Sequence, residues 1–141
     1  MIQPSDRRRA WAWLAVTAAL AVHVTDETLT DFLPLYNSFV RSARQRLSFF
    51  PFPTFTFEVW LSGLVLLVCL LIVLSIPVFD GKRWTMPLCY LLGTIMLFNG
   101  LGHVAGSFYL GRLMPGVYSS PLLLASSIWL LVATFRRTHK P

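Results

Sequence analysis

Four stretches of this chain are apolar for about twenty residues, and its polar positions gather between them. They run from about Ala10 to Leu29, Val59 to Phe79, Trp84 to Tyr109 and Gly116 to Phe135. A helix crosses a hydrocarbon layer about 30 Å thick with about 20 residues, so each stretch is long enough to span one. A helix also closes its own backbone hydrogen bonds, which an open strand in lipid does not. The pattern predicts an all-α fold, a polytopic membrane four-helix bundle that makes one domain of residues 1–141. Between the first two spans, Phe32, Leu35, Tyr36, Phe39, Val40, Ala43 and Leu47 recur at spacings of three and four, with Arg41, Arg44 and Arg46 towards the other side. That periodicity predicts an interfacial amphipathic helix between helices 1 and 2, lying on the outer surface and followed by a turn at PFPTF. It serves either as a plain connector or as a lid over what lies beneath.

Composition agrees with lipid as the solvent. Of 141 residues, 55% are hydrophobic and only 13% charged, more apolar surface than a soluble domain of this length hides. The net charge of +6 is carried in short basic clusters beside greasy runs, the way membrane proteins flank their spans, so no nucleic-acid partner is expected. The N-terminal tail (Arg7, Arg8, Arg9), the turn at Lys82 and Arg83 and the C-terminal tail (Arg136, Arg137, Lys140) hold twice as many basic residues as the other connections, which carry Arg41, Arg44, Arg46 and Arg112. The positive-inside rule then puts both termini in the cytoplasm, with the plasma membrane as the expected location. Trp11, Trp13, Trp60, Trp84 and Trp129 fall mostly near the span ends, as interfacial aromatics do. Arg7–Arg9, the following apolar run and Ala19-Leu20-Ala21 also match the layout of a cleaved secretory leader, the rival reading of the first span. Cys69 and Cys89 stand alone in apolar segments and read as packing residues.

The chemistry concentrates in HVTDETLTD, residues 23–31, which holds three of the six acidic residues. His23, Asp26 and Glu27 share one helix face by their spacing of three and four, and Asp31 continues the Glu27 row. Asn99 and His103 are likewise four apart on the third span. At a rise of about 1.5 Å per residue, His23 and Asn99 lie roughly 20 Å from the inner surface, and Glu27 and His103 a turn further out. Tyr118, Ser119 and Ser120 open the fourth span at the same level, and Glu58 opens the second, closer to water. Ionisable groups near the bilayer centre cost at least about 2.5 kcal/mol each, so they are seldom idle. His23 and His103 are expected to face each other across an internal cavity. The bland alternative is a histidine–carboxylate tie between two helices.

These residues resemble the HXXEE-motif family of small membrane proteins, whose pattern is His-x-x-Glu-Glu, a later histidine and Tyr-x-Pro-Gly. Here the elements read His23-Val24-Thr25-Asp26-Glu27, His103 within NGLGH, and Leu113-Met114-Pro115-Gly116, over roughly residues 20–125. Aspartate replaces the first glutamate and leucine the tyrosine, so a role for that hydroxyl is lost. The resemblance implies a site and no particular reaction.

Three functions suit such a site. The first is acid–base catalysis on a lipid-like or isoprenoid substrate, with His23 and Glu27 exchanging protons, Asp26 orienting, and His103 or Asn99 holding a substrate oxygen or cation. Tyr118 and Ser119 join Asn99 as substrate contacts. By arrangement alone this is similar to the sterol isomerases of the emopamil-binding family, which use a His-x-x-x-Glu pair and a polar amide among membrane helices. The second is a metal-dependent hydrolase or oxidoreductase, with His23, Asp26, Glu27 and His103 around one zinc or iron ion. The third is a non-enzymatic lipid or pigment binder, small transporter or accessory subunit. Its expected partners are membrane lipids and a hydrophobic small molecule, and transport would require a homo-oligomer.

Overall fold

The structure, a computed structural model, describes residues 4–47 and 49–138, except the side chains of Ser5, Arg137 and Thr138. His139 and Lys140, which the charge count places in the C-terminal tail, lie outside the described residues. Five helices follow in order, α1 (Pro4–Leu29), α2 (Phe32–Arg46), α3 (Phe57–Phe79), α4 (Thr85–Leu110) and α5 (Ser120–Thr138), with no strand among the described residues. The protein is all-α, and two of its helices, α3 and α4, are long and apolar enough to cross a membrane. The apolar run of α5 is shorter, Ser120–Arg136, and α1 carries charged residues at both ends.

Extensive contacts join α3 to α1, α1 to α5, and α5 to α4, and α1 also touches α4. The central member is α1, whose Trp13, Val16, Ala19 and Leu20 are in the core. Trp13 is therefore no interfacial aromatic. Its indole N–H donates to the carbonyl of Leu71 at 2.8 Å, tying α1 to α3, because a buried indole needs an acceptor. The first helix also begins six residues before the expected Ala10. Arg9 is fully buried beside Asp6, an ion pair of 3.5 Å at i, i+3, so only Arg7 and Arg8 of that basic cluster reach the surface. Removing residues 1–21 as a leader would strip the core of Trp13, Val16 and Leu20.

On α3 the outward positions include Val65, Leu66, Leu70, Ile72, Val73 and Ile76, an apolar face suited to lipid and costly in water. Polar residues inside the helices satisfy themselves locally. The hydroxyls of Thr17, Thr28, Ser127 and Thr134 donate to carbonyls four residues back, which lets them sit in apolar surroundings. Between α4 and α5 the spacing is set by glycine. A Cβ on Gly93 would come within 2.8 Å of Leu131, and one on Gly100 within 2.9 Å of Leu124. Gly93 and Gly100 are seven apart, as are the leucines they receive.

The expected amphipathic helix is present as α2, with Leu33 and Val40 buried. Its following segment folds back on it. The Asn37 amide exchanges two hydrogen bonds with the backbone of Phe55, at 2.8 and 3.0 Å, and the Tyr36 hydroxyl donates to the Pro53 carbonyl. Two boundaries differ from the sequence reading. Asp31 leaves the Glu27 row because α1 ends at Leu29 and Asp31 turns into the left-handed region, φ 58°, where it starts α2 with its side chain exposed. The last helix starts at Ser120 instead of Gly116, because Gly116 has φ +83° and cannot open a helix.

Candidate functional site

Three elements build the site: the last turns of α1, the C-terminal half of α4, and the turn from Pro115 to Ser119 that leads into α5. From α1, the spacing of four puts His23 and Glu27 on one face, and both are buried, at 0% and 5% exposure. From α4, His103 is 4% exposed and Asn99 half-buried one turn away. Glu27 lies between the two imidazoles. Its Oε1 is 3.1 Å from His103 Nε2 and 3.5 Å from His23 Nε2. The rings stand edge to face with centroids 4.7 Å apart.

Hydrogen-bond arithmetic fixes which ring nitrogens carry protons. His103 Nδ1 faces the Pro115 carbonyl, which only accepts, so the proton of a neutral ring sits on Nδ1. The Ser119 hydroxyl has a single hydrogen and donates it to Asp26 Oδ2 at 2.7 Å. It therefore accepts from His23 Nδ1 at 2.8 Å. Asp26 also accepts from the Ser119 backbone N–H at 2.8 Å. Both imidazoles thus turn Nε2 towards Glu27, and His23 Nε2 also meets Asn99 Oδ1 at 3.2 Å, an oxygen that accepts when that nitrogen carries a proton.

The Pro115–Ser119 turn is as much part of the site as the side chains. Gly116 donates its N–H to the Thr30 hydroxyl at 3.2 Å, pinning the turn to the end of α1. A Cβ at Gly116 would lie 2.7 Å from His103 Cε1 and 3.0 Å from Glu27 Cγ, so only glycine allows this approach. On the far side of His103, Phe32 of α2 packs with ring centroids 5.1 Å apart. A cavity of about 330 Å³ opens beside the cluster, lined by Glu27, His103, Asn99, Phe32, Tyr36 and Trp60 among others.

The structure brings together His23, Asp26, Glu27, Asn99, His103 and Ser119. It corrects three expectations. The two histidine rings pack edge to face with Glu27 bridging their Nε2 atoms, and the cavity lies beside them instead of between them. Tyr118 stays out, 68% exposed, because neighbouring residues of the turn face opposite sides and Ser119 takes the inward one. Asp26 stands apart from the cluster that Glu27 forms with the histidines, since Ser119 occupies its carboxylate. Glu58 is exposed at the start of α3, in keeping with its expected place nearer water. The sequence marked Pro115 and Gly116 only as part of the third family element, with no role for them, and gave no sign of Thr30; their contributions run mostly through backbone groups, and the Pro-Gly pair is a turn signal.

A family model described as a protein of unknown function with an HXXEE motif matches residues 13–130, most of the chain. The chain belongs to the HXXEE family. No curated protein and no solved structure matches it. In this HXXEE protein the motif's histidine and second acid are the pair that meet His103, and its first acid reaches across to α5. The motif thus encodes two directions of contact from one helix turn.

Proposed function

We propose that this HXXEE protein is an integral membrane enzyme performing acid–base chemistry on a hydrophobic, lipid-like substrate. In this reading α1, α3, α4 and α5 all cross the bilayer, both termini are cytoplasmic, and α2 lies at the outer surface. The observation that carries the reading is the single Glu27 oxygen held between two imidazole nitrogens, buried and beside an aromatic cavity. A proton on that carboxylate or on either Nε2 has a neighbour ready to take it over about 3 Å, which is what proton transfer requires. Ser119 and Asp26 support His23 from behind, and the Pro115 carbonyl supports His103. The cavity suits an apolar molecule with one polar group. Phe32, Tyr36 and Trp60 offer rings to its body, and Asn99 offers an amide to its head.

Untargeted lipid profiling of membranes from cells making the wild type or Glu27→Gln tests this reading. A lipid species should shift with the wild type alone, with both proteins inserted at equal level. Identical profiles, together with a lipid-like ligand retained by the wild type in native mass spectrometry, would make the protein a binder instead.

A further inference from the structure

A proton is one cation suited to this cluster, and the arrangement of its hydrogen bonds favours a larger one. The argument uses the same residues as the acid–base reading and needs no substrate. With both Nδ1 atoms committed as donors, the neutral rings of His23 and His103 keep their Nε2 lone pairs for a cation beside Glu27 Oε1. These three atoms lie within 4.8 Å of one another. Asn99 Oδ1 lies 3.2 Å from His23 Nε2, at the edge of the same group.

Two of the distances suit a metal as well as a proton. Ligands at about 2.0–2.1 Å around a tetrahedral ion stand about 3.3 Å apart. The carboxylate oxygen here is 3.1 and 3.5 Å from the two nitrogens. The two nitrogens, within 4.8 Å of each other, would draw together around an ion that takes all three ligands. The surroundings match as well. Metal-binding histidines donate their second ring N–H to a carboxylate, carbonyl or similar acceptor, which fixes ring orientation and raises basicity. His103 donates to a backbone carbonyl, and His23 donates to a serine hydroxyl that itself donates to Asp26.

We propose that His23 Nε2, His103 Nε2 and Glu27 Oε1 bind one divalent first-row transition metal ion, with Asp26 and Ser119 as positioning residues behind His23. Two imidazoles and a carboxylate suit zinc or ferrous iron and leave a position for water or a substrate oxygen. The cavity touches Glu27 and His103, so that position is reachable from it.

The test uses full-length protein in detergent, freed of any affinity tag, stripped with chelator and titrated with zinc or cobalt(II). The expected result is one ion per chain, with the intense visible absorption of low-coordinate cobalt. His103→Ala and Glu27→Gln should abolish both signals. Asp26→Asn should weaken zinc binding about 10- to 100-fold while circular dichroism stays that of the wild type. Zinc affinity unchanged in His103→Ala and Glu27→Gln, or a stripped wild type that takes up no ion, overturns the proposal. Either failure leaves the acid–base reading standing, because the measurement contains no substrate. A protein that binds zinc yet alters no lipid overturns the acid–base reading alone.

Discussion

The two imidazoles of the site carry their protons on the same ring atom for different reasons, and substitutions should tell them apart. His23 depends on the Ser119 hydroxyl, so Ser119→Ala leaves a buried ring N–H without its acceptor and takes one donor from Asp26. Unsatisfied buried groups of this kind cost about 1–3 kcal/mol, and thermal unfolding in micelles should show a lowered Tm, with Ser119→Thr recovering part of it. His103 depends on the main chain around Gly116 instead. Gly116→Ala forces a Cβ to within 2.7 Å of the His103 ring at φ +83°, and the strain should cost about 1–3 kcal/mol. Spin or fluorescence labels are unnecessary here, since Tm and zinc uptake together report the damage. At this scale the sequence was informative about the side chains of the cluster. His23, Glu27, Asn99 and His103 announce themselves by a spacing of four in apolar runs. The carbonyl of Pro115 and the hydroxyl of Thr30 do not, because a backbone acceptor and a helix-end threonine look alike wherever they occur.

Among the helices, the tight pairing of α4 with α5 makes a discriminating prediction. Gly93→Ala and Gly100→Ala each push a methyl into a leucine of α5, and overpacking of that kind costs about 1–3 kcal/mol. Gly102→Ala on the same helix meets no atom within 4 Å and should be neutral or stabilising by up to about 1 kcal/mol, because alanine prefers a helix interior. Equal Tm changes for all three would contradict the described packing. The sequence shows that this helix is rich in glycine. It did not say which glycine faces a neighbour, because a helix apolar all round gives no stripe to orient it. The helix ends were legible where a glycine or a polar cluster marks them, as at Gly111. They were misread where a buried ion pair extends α1 to Pro4, since Asp6 and Arg9 look like a solvated tail.

For the whole molecule, reporters fused to the N- and C-termini should be active on the same, cytoplasmic side if the four long helices all cross the bilayer; opposite sides would remove one crossing. The all-α class and the placing of the apolar stretches followed from length and hydropathy alone. The order α3, α1, α5, α4 did not, because apolar helices in lipid choose neighbours by shape, and shape is not written in hydropathy. That order has one outcome for traffic. Among the described residues, close packing between α3 and α4 is absent, and the pocket that Trp60 and Leu64 of α3 and Asn99 and His103 of α4 line lies between them, with Phe32, Tyr36 and Phe55 also in its wall. If the proposed bilayer crossing holds, a greasy substrate would come to Glu27 sideways from among the acyl chains and would spare itself passage through water.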